Sequence, residues 1–408
     1  MKAAVVAELR PRRGVRLLAT APADERSVRR RVAVAWGLLI LNALTYYGSI
    51  LHIPSAAGKG ITQAALPAAL IVALTVNRRI VIRPNVFLFL ATLLALEAVI
   101  SCLQPQHLGT VYRTLRLAEF IAGLWLLSPW WGRRDMLLVR SHMVWLAVIQ
   151  GTVILGLLVA PGHALAGHRL GGVLWDVPAT EVAHYAAVTA GAAVVLWLGG
   201  LLPGRLTLVI AGSEGIILVL THTRTALVAL VLALMVASLS LITARVRVRR
   251  FFATASIVVI VVAVLGAGVL TTWLTRGQSA QELTSLTGRT GFWTLVLNLP
   301  RTRFQEIFGF GLSNGSVDGL PIDSNWLVAY LQQGIFGVIL TAAMLLFVLV
   351  AAFFQPSGTR RALALFLATY CLVASFTQVG FTSATVYLLE LTLAASLLVP
   401  SAAESEPD

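Results

Sequence analysis

A chain of 408 residues that is 58% hydrophobic and only 12% charged, with a mean hydropathy of +0.86, cannot hide its apolar side chains in one water-soluble core. Soluble domains carry about a quarter charged residues, so the composition excludes a soluble enzyme and implies an all-α polytopic membrane protein. The formal net charge of +14 is accounted for by topology and by attraction to anionic lipid headgroups; membrane lipids are expected partners and nucleic acid is not.

Residues 1–31 hold Lys2 and eight arginines from Arg10 to Arg31 and no apolar core of signal-peptide type. They are expected to form a basic cytoplasmic tail ahead of a transmembrane domain over 32–400 and a short cytoplasmic tail over 401–408. Apolar runs of about the length that crosses a bilayer follow at about 33–51, 60–77, 84–103, 115–131, 142–160, 181–199, 206–221, 225–242, 251–274, 334–354, 362–379 and 383–400. This predicts about twelve transmembrane helices, with a long extracytoplasmic loop over 275–332 between helices 9 and 10. With both termini cytoplasmic, the inner segments collect Arg78, Arg79, Arg83, Arg133, Arg134, Arg140, Arg205, Arg245, Arg247, Arg249, Arg250, Arg360 and Arg361 besides the tail, or 22 of the 31 basic residues. That partition satisfies the positive-inside rule at every well-populated inner loop.

Four acids, Glu97, Glu119, Glu214 and Glu390, fall in or near the predicted spans. Read as a proton relay they would suit a secondary transporter or flippase, although the two halves show no internal repeat. Glu119 stands three residues after Arg116 and is placed to pair with it on one helix face. The two cysteines, Cys102 and Cys371, lie far apart in sequence, and the seven histidines, His52, His107, His142, His163, His168, His184 and His222, show no ligand spacing. No phosphate-binding loop or dinucleotide motif occurs either, so no metal and no cofactor is expected.

The outer segments, in contrast, concentrate arginine almost without lysine, and guanidinium is the group suited to gripping phosphate beside a low-dielectric region. Arg224 is the sharpest case, standing in Thr221-His222-Thr223-Arg224-Thr225 between two apolar runs with hardly any loop around it. A cation so close to hydrocarbon suggests a function; snorkelling to headgroups is the bland alternative. The long loop contains Thr287-Gly288-Arg289-Thr290-Gly291-Phe292-Trp293, then Arg301 and Arg303, then Gly309-Phe310-Gly311, and finally Asp323-Ser324-Asn325-Trp326 ahead of Gly334-Ile335-Phe336-Gly337. Phe292, Trp293, Leu295, Val296 and Leu299 have helical spacing and would form an apolar face lying on the membrane. Trp293 and Trp326 fit two roles, interface anchors or platforms for sugar.

These segments together resemble the O-antigen ligase and Wzy-type O-antigen polymerase family of bacterial envelope glycan enzymes. Gly288-Arg289 with Trp293 matches the family's Gly-Arg-x-x-x-Trp, Gly309-Phe310-Gly311 its Gly-x-Gly turn, and Gly334 to Gly337 the start of its next span. Asp323 stands where that family carries a functional His, with Ser324 in place of the following Asn. Thr221 to Ala226 looks like its Ser/Thr-x-x-Arg at the mouth of a central helix, and His168-Arg169-Leu170-Gly171-Gly172-Val173 with Pro178 like its Arg-Leu-x-Gly stretch. The resemblance covers most of 85–400.

It implies a glycosyltransferase of the bacterial plasma membrane that transfers or polymerises glycan from a lipid diphosphate carrier, typically undecaprenyl diphosphate, onto a sugar hydroxyl at the extracytoplasmic face. Polysaccharide export or chain-length proteins are the partners such a reaction would have. Arg224 and Arg289 are then expected to neutralise the departing diphosphate without a metal. Asp323 would take or orient the acceptor proton, or would only N-cap the helix that follows. Arg169, Arg301, Arg303, Asn325, Trp293 and Trp326 are expected to bind substrate. A multispan polyprenyl-phosphate glycosyltransferase of the kind with an acid in its first outer loop fits less well, because His52 to Lys59 contains no carboxylate.

Overall fold

The computed structural model describes residues 22–44, 46, 48–103, 108–132, 134–242, 248, 251, 254, 289–313, 315–317 and 320–400. Residues 1–21 of the expected N-terminal tail, the C-terminal tail over 401–408, the ninth apolar run at 251–274 except Phe251 and Thr254, and the loop as far as residue 288 lie outside the described residues, and residues 22–31, expected in the tail, are instead the start of the first helix. The architecture is all-helical: α1 (Pro22–Ala43), α2 (Ser55–Val76), α3 (Val86–Ser101), α4 (Leu108–Leu127), α5 (Asp135–Val159), α6 (Pro161–Ala164), α7 (Ala179–Leu198), α8 (Gly204–Thr221), α9 (Arg224–Leu239), α10 (Arg289–Leu297), α11 (Arg303–Phe308), α12 (Asn325–Phe354), α13 (Thr359–Ala374) and α14 (Val386–Leu397). A two-residue antiparallel ladder, Ser316–Val317 with Leu320–Pro321, precedes α12.

Five of the described helices, α2, α5, α7, α8 and α12, are long and apolar enough to cross a membrane, and α3, α9 and α14 are apolar but shorter. The chain is thus an α-helical membrane protein, but the described helices do not make up the expected count of twelve spans. Several apolar runs fold into helices of 12 to 16 residues, less than the roughly 20 residues that a bilayer core requires. The expected end of the outer loop also changes. Residues 325–332 are not loop but the first part of α12, and Gly334, expected at the start of a span, is a break inside it with φ 63° and ψ −162°.

The break is built by glycine on both sides. Phe310 N donates to Leu331 O and Gly311 N to Gln332 O at 2.8 Å each, so the Gly309-Phe310-Gly311 strand lies against the end of the first half of α12. A Cβ on Gly309 would run into the Gln332 carbonyl, and a Cβ on Gly334 into that of Ile307. Both positions have positive φ as well, which only glycine adopts at little cost. Past this crossing Gln333 is fully buried and its side-chain NH₂ reaches Leu94 O, halfway along α3. The first half of α12 therefore descends into the bundle, where irregular backbone persists only if protein covers it.

At the centre stands α7, whose apolar window is 83% buried against 28% for α2 and α8. Its run of Ala and Gly lets neighbours approach closely; the Phe366 ring of α13 sits on Gly191, where any Cβ would collide with it. Around it, apolar side chains such as Leu208, Val209, Ile216, Val231 and Phe353 face outward, as on helices solvated by lipid.

The connections sort into two ends. At one, Arg83 donates to Trp131 O and Pro400 O, Arg360 pairs with Asp135 at 2.7 Å, and Arg134 pairs with Glu25. At the other, Ile50 N donates to Val173 O, Asp176 N to Gly48 O and Leu170 N to Leu220 O. The loops expected on one side of the membrane thus touch one another, and so do those expected on the other. One expected pair is not formed: the Arg116 guanidinium donates to Asn42 Oδ1 and O, which ties α4 to α1 instead of reaching Glu119.

Candidate functional site

At the end formed by 46–53, 168–178 and 220–224, two groups of polar side chains gather. The first is an arginine-held turn. Helix α8 stops because His222 adopts φ 50°, and Thr223 starts α9 with Arg224 as its first residue. Arg169 fastens this turn, its Nε donating to Thr221 O and its Nη2 to Thr223 Oγ1, both at 3.1 Å. Thr221 and Thr223 are buried, so a planar fork reads two acceptors of known geometry. The Arg-Leu-x-Gly stretch and the Thr-x-x-Arg turn are therefore one unit, with Arg169 holding the position from which Arg224 projects.

The second group lines a cavity of about 290 Å³. The hairpin contributes Gly315, Ile322 and Asp323 as its roof, the first turns of α7 contribute Glu181 and His184, and the first turn of α14 contributes Tyr387. Asp323 is half-buried, and the residue at the N-cap of α12 is Ser324, so Asp323 precedes the cap position. Its surroundings are held by Asn325. That side chain is fully buried, and its Oδ1 accepts from Gly380 N at 3.1 Å and Phe381 N at 2.9 Å, while its backbone N donates to Ser375 O. Thr385 donates to Gly380 O and closes the same segment.

Below the cavity is a cluster that local sequence spacing did not reveal. Glu390 of α14 is 0% exposed, and its Oε1 lies 2.9 Å from His184 Nε2 of α7 and 3.4 Å from His142 Nε2 of α5, each of which is 1% exposed. The indole Nε1 of Trp36 in α1 donates to His142 Nδ1 at 3.3 Å, and the Cys371 thiol of α13 approaches Glu390 Oε2 at 3.8 Å. A buried carboxylate needs such close partners; only the thiol contact has hydrogen-bond geometry, and Glu390 Oε1 and the two Nε2 atoms approach one another without making one. Glu390 stood out in the sequence as an intramembrane acid. His142, His184, Trp36 and Glu181 did not, because each comes from a different stretch and no local pattern joins them.

The remaining expected site residues are spread along the loop. Arg301 lies between the Phe310 and Tyr330 rings, 4.0 Å from the Tyr330 centroid, and donates to Tyr330 O and Val296 O. Burial pushes its guanidinium pKa down, and Tyr330 and Glu306 act the other way. It is a strut between α10 and the first half of α12. Arg303 is 91% exposed and pairs with Glu306 at 3.4 Å. Trp326 donates to Ser375 Oγ at 3.0 Å and packs beside Phe376. Trp293 is half-buried on α10. The expected apolar face of that helix divides: Val296 is buried with Ile322, Val328 and Leu331, and Leu299 packs on them, whereas Leu295 is exposed and the side chain of Phe292 lies outside the described residues. Arg289 begins α10, but its side chain lies outside the described residues. Arg169, Arg224, Arg301 and Arg303 do not line the Asp323 cavity. Among the described residues no cluster of His, Cys, Asp and Glu is arranged to hold a metal ion.

No family model matches the chain, and no curated protein matches it.

Proposed function

We propose that the chain is a membrane glycosyltransferase that transfers or polymerises glycan from a lipid diphosphate carrier of the undecaprenyl diphosphate kind onto a sugar hydroxyl, in the making of cell-surface polysaccharide. One observation carries this reading. Asp323, the residue at the resembled family's His position, lines a cavity with Glu181 and His184 at the same end of the bundle as the Arg169–Arg224 turn. Carboxylates and imidazole receive hydroxyl protons, and guanidinium groups neutralise a departing diphosphate. In this reading Arg224, with Arg289, faces the leaving group, and Asp323 and Glu181 face the acceptor sugar.

The reading places the protein in the bacterial plasma membrane with twelve crossings, both termini cytoplasmic and the cavity outside. The shorter helices are completed by the irregular segments at their ends. Reporter fusions should put residue 300 on the opposite side from residues 78 and 360. The reaction is expected to need no divalent ion. In proteoliposomes supplied with the lipid diphosphate-linked glycan of the producing strain, the purified protein should lengthen or transfer the glycan in EDTA; loss on chelation, restored by Mg²⁺, would count against the arginine mechanism.

A secondary transporter or flippase is the second reading, and the His142–Glu390–His184 cluster is what favours it, since ionisable groups inside a membrane commonly carry protons. The same proteoliposomes separate the two readings. Proton-dependent movement of the lipid-linked glycan between leaflets, with no new glycosidic bond, would select transport.

A further inference from the structure

The neutral tautomer of His142 is fixed by its neighbour. An indole N–H only donates, so the Trp36 contact makes His142 Nδ1 an acceptor and places the proton of the neutral ring on Nε2, facing Glu390. A second proton on Nδ1 would meet the indole hydrogen head-on. His184 is under no such restriction. Its Nε2 lies 2.9 Å from the same carboxylate oxygen; both of its ring nitrogens are buried, and neither makes a hydrogen bond among the described residues. His184 is also among the residues that line the cavity with Asp323.

We propose that His184 is the proton acceptor of this cavity, with Glu390 its counter-ion and Trp36-held His142 a neutral positioning residue. The proposal rests on the glycosyl-transfer reading. In the proposed resting state both imidazoles are neutral with the proton on Nε2, beside the Glu390 carboxylate, and His184 Nδ1 carries a lone pair. This is the arrangement in which a carboxylate orients an imidazole and stabilises the cation it becomes. As the acceptor oxygen bonds to the anomeric carbon, the bond from that carbon to the diphosphate oxygen breaks and its electron pair leaves with the diphosphate. The acceptor's proton passes to His184 Nδ1, and the imidazolium pairs with Glu390. Loss of that proton to water through the cavity resets the site.

The other groups around His184 are compatible with this role. Tyr387 of α14 stacks on the ring with centroids 3.9 Å apart, and Tyr370 of α13 lies at 5.3 Å. On α7 itself, Tyr185 donates to Glu181 Oε2 at 3.3 Å. Glu181 and Asp323 are half-buried at the cavity wall, where their carboxylates accept from hydroxyls. Cys371 is turned to Glu390 Oε2.

The test has two arms. Nitrogen-15 histidine NMR of the full-length protein in lipid nanodiscs, with His184 assigned by its loss in His184→Gln, should show a neutral Nε2–H tautomer at pH 7.5 that becomes imidazolium on acidification. In Glu390→Gln the imidazolium should appear only at lower pH, since its counter-charge is gone. An Nδ1–H tautomer at His184, or protonation of His142 in its place, would overturn the assignment. In the second arm, transfer of the producing strain's lipid diphosphate-linked glycan should fall by about 10²-fold or more in His184→Gln, and the acid limb of the wild-type pH profile should move down in Glu390→Gln. Full turnover in His184→Gln overturns this proposal alone. A wild type that moves no glycan overturns the glycosyl-transfer reading and the catalytic role with it, whatever the tautomer.

Discussion

The turn that carries Arg224 and the cavity that carries Asp323 lie at one end of the same bundle, yet they are built in opposite ways. The turn is local: it comprises Thr221 to Arg224, fastened by Arg169 through one backbone carbonyl and one hydroxyl. The cavity is assembled from the end of α1, the start of α7, a hairpin and the segment entering α14, with lining residues that run from 43 to 387. The reason is chemical. A guanidinium is satisfied by carbonyl oxygens, which any stretch of chain supplies, whereas a buried carboxylate needs donor side chains, and those must come from other helices. Glu390 has polar neighbours from α5, α7 and α13.

The strongest way to break this contrast is to dismantle the cavity's support and leave the turn untouched. Gly334→Ala adds a Cβ where the Ile307 carbonyl already sits, at a residue with φ 63°. Both effects act together, and a loss of about 4 kcal/mol or more is expected. Size-exclusion chromatography should find little folded protein. Gly212→Ala in α8, where a Cβ meets nothing within 4 Å, is the control and should behave as the wild type. A monodisperse Gly334→Ala protein would mean that the break in α12 is not needed to hold the cavity.

The next largest effect is expected at the turn. Arg224→Ala should reduce transfer by about 10²- to 10³-fold, the usual worth of one preorganised charge at a developing oxyanion, with the amount of inserted protein unchanged. Arg169→Lys should be nearly as damaging, because a lysine cannot reproduce donation from both Nε and Nη2. Near-normal turnover in both variants would detach the turn from the chemistry and leave the cavity alone as the site.

This difference also explains what was legible in the sequence. Composition and apolar runs announced helices in a membrane, and Thr221-His222-Thr223-Arg224 announced its own turn, because a helix break and a cation are local properties. The broken α12 was half legible. Gly309 and Gly311 marked a turn, but Gly334 was expected to begin a span, and the docking of these glycines joins segments that no periodicity relates, so residues 325–332 were expected in a loop. The same limit hid His184. Its single neighbourly clue, Glu181 three residues before it, is an ordinary helical spacing, and its real partner is Glu390. Asn325 shows a role of another kind: a polar residue near a family motif was expected to meet substrate, and its Oδ1 holds two backbone amides, at Gly380 and Phe381.

Asp323→Asn sharpens the division of labour inside the cavity. With His184 as proton acceptor, Asp323 contributes one charge-assisted hydrogen bond to the acceptor sugar, and its loss should cost about 10- to 100-fold in turnover, less than His184→Gln. Asp323→His restores the residue type that the resembled family carries and should recover part of that activity. If Asp323→Asn proves the more damaging of the two, Asp323 is the base and His184 the support.

The smallest effect is predicted at Arg303, and it tests whether the outer arginines act as one cationic field or as separate devices. Arg303 is 91% exposed and its Glu306 partner is itself well solvated, so the pair is worth about 0.5 kcal/mol or less to stability, and Arg303→Ala should melt with the wild type. Its side chain is not committed inward as that of Arg301 is to Tyr330 and Val296, which leaves attraction of an anionic glycan or headgroup as its one expected use. Such attraction is screened within about 10 Å at 0.1 M salt. Arg303→Ala should therefore raise KM no more than about threefold at low ionic strength and not measurably at 0.5 M salt, with kcat unchanged. A fall in kcat that persists at high salt would place Arg303 in contact with the reacting diphosphate and extend the arginine site from the α8–α9 turn to the loop.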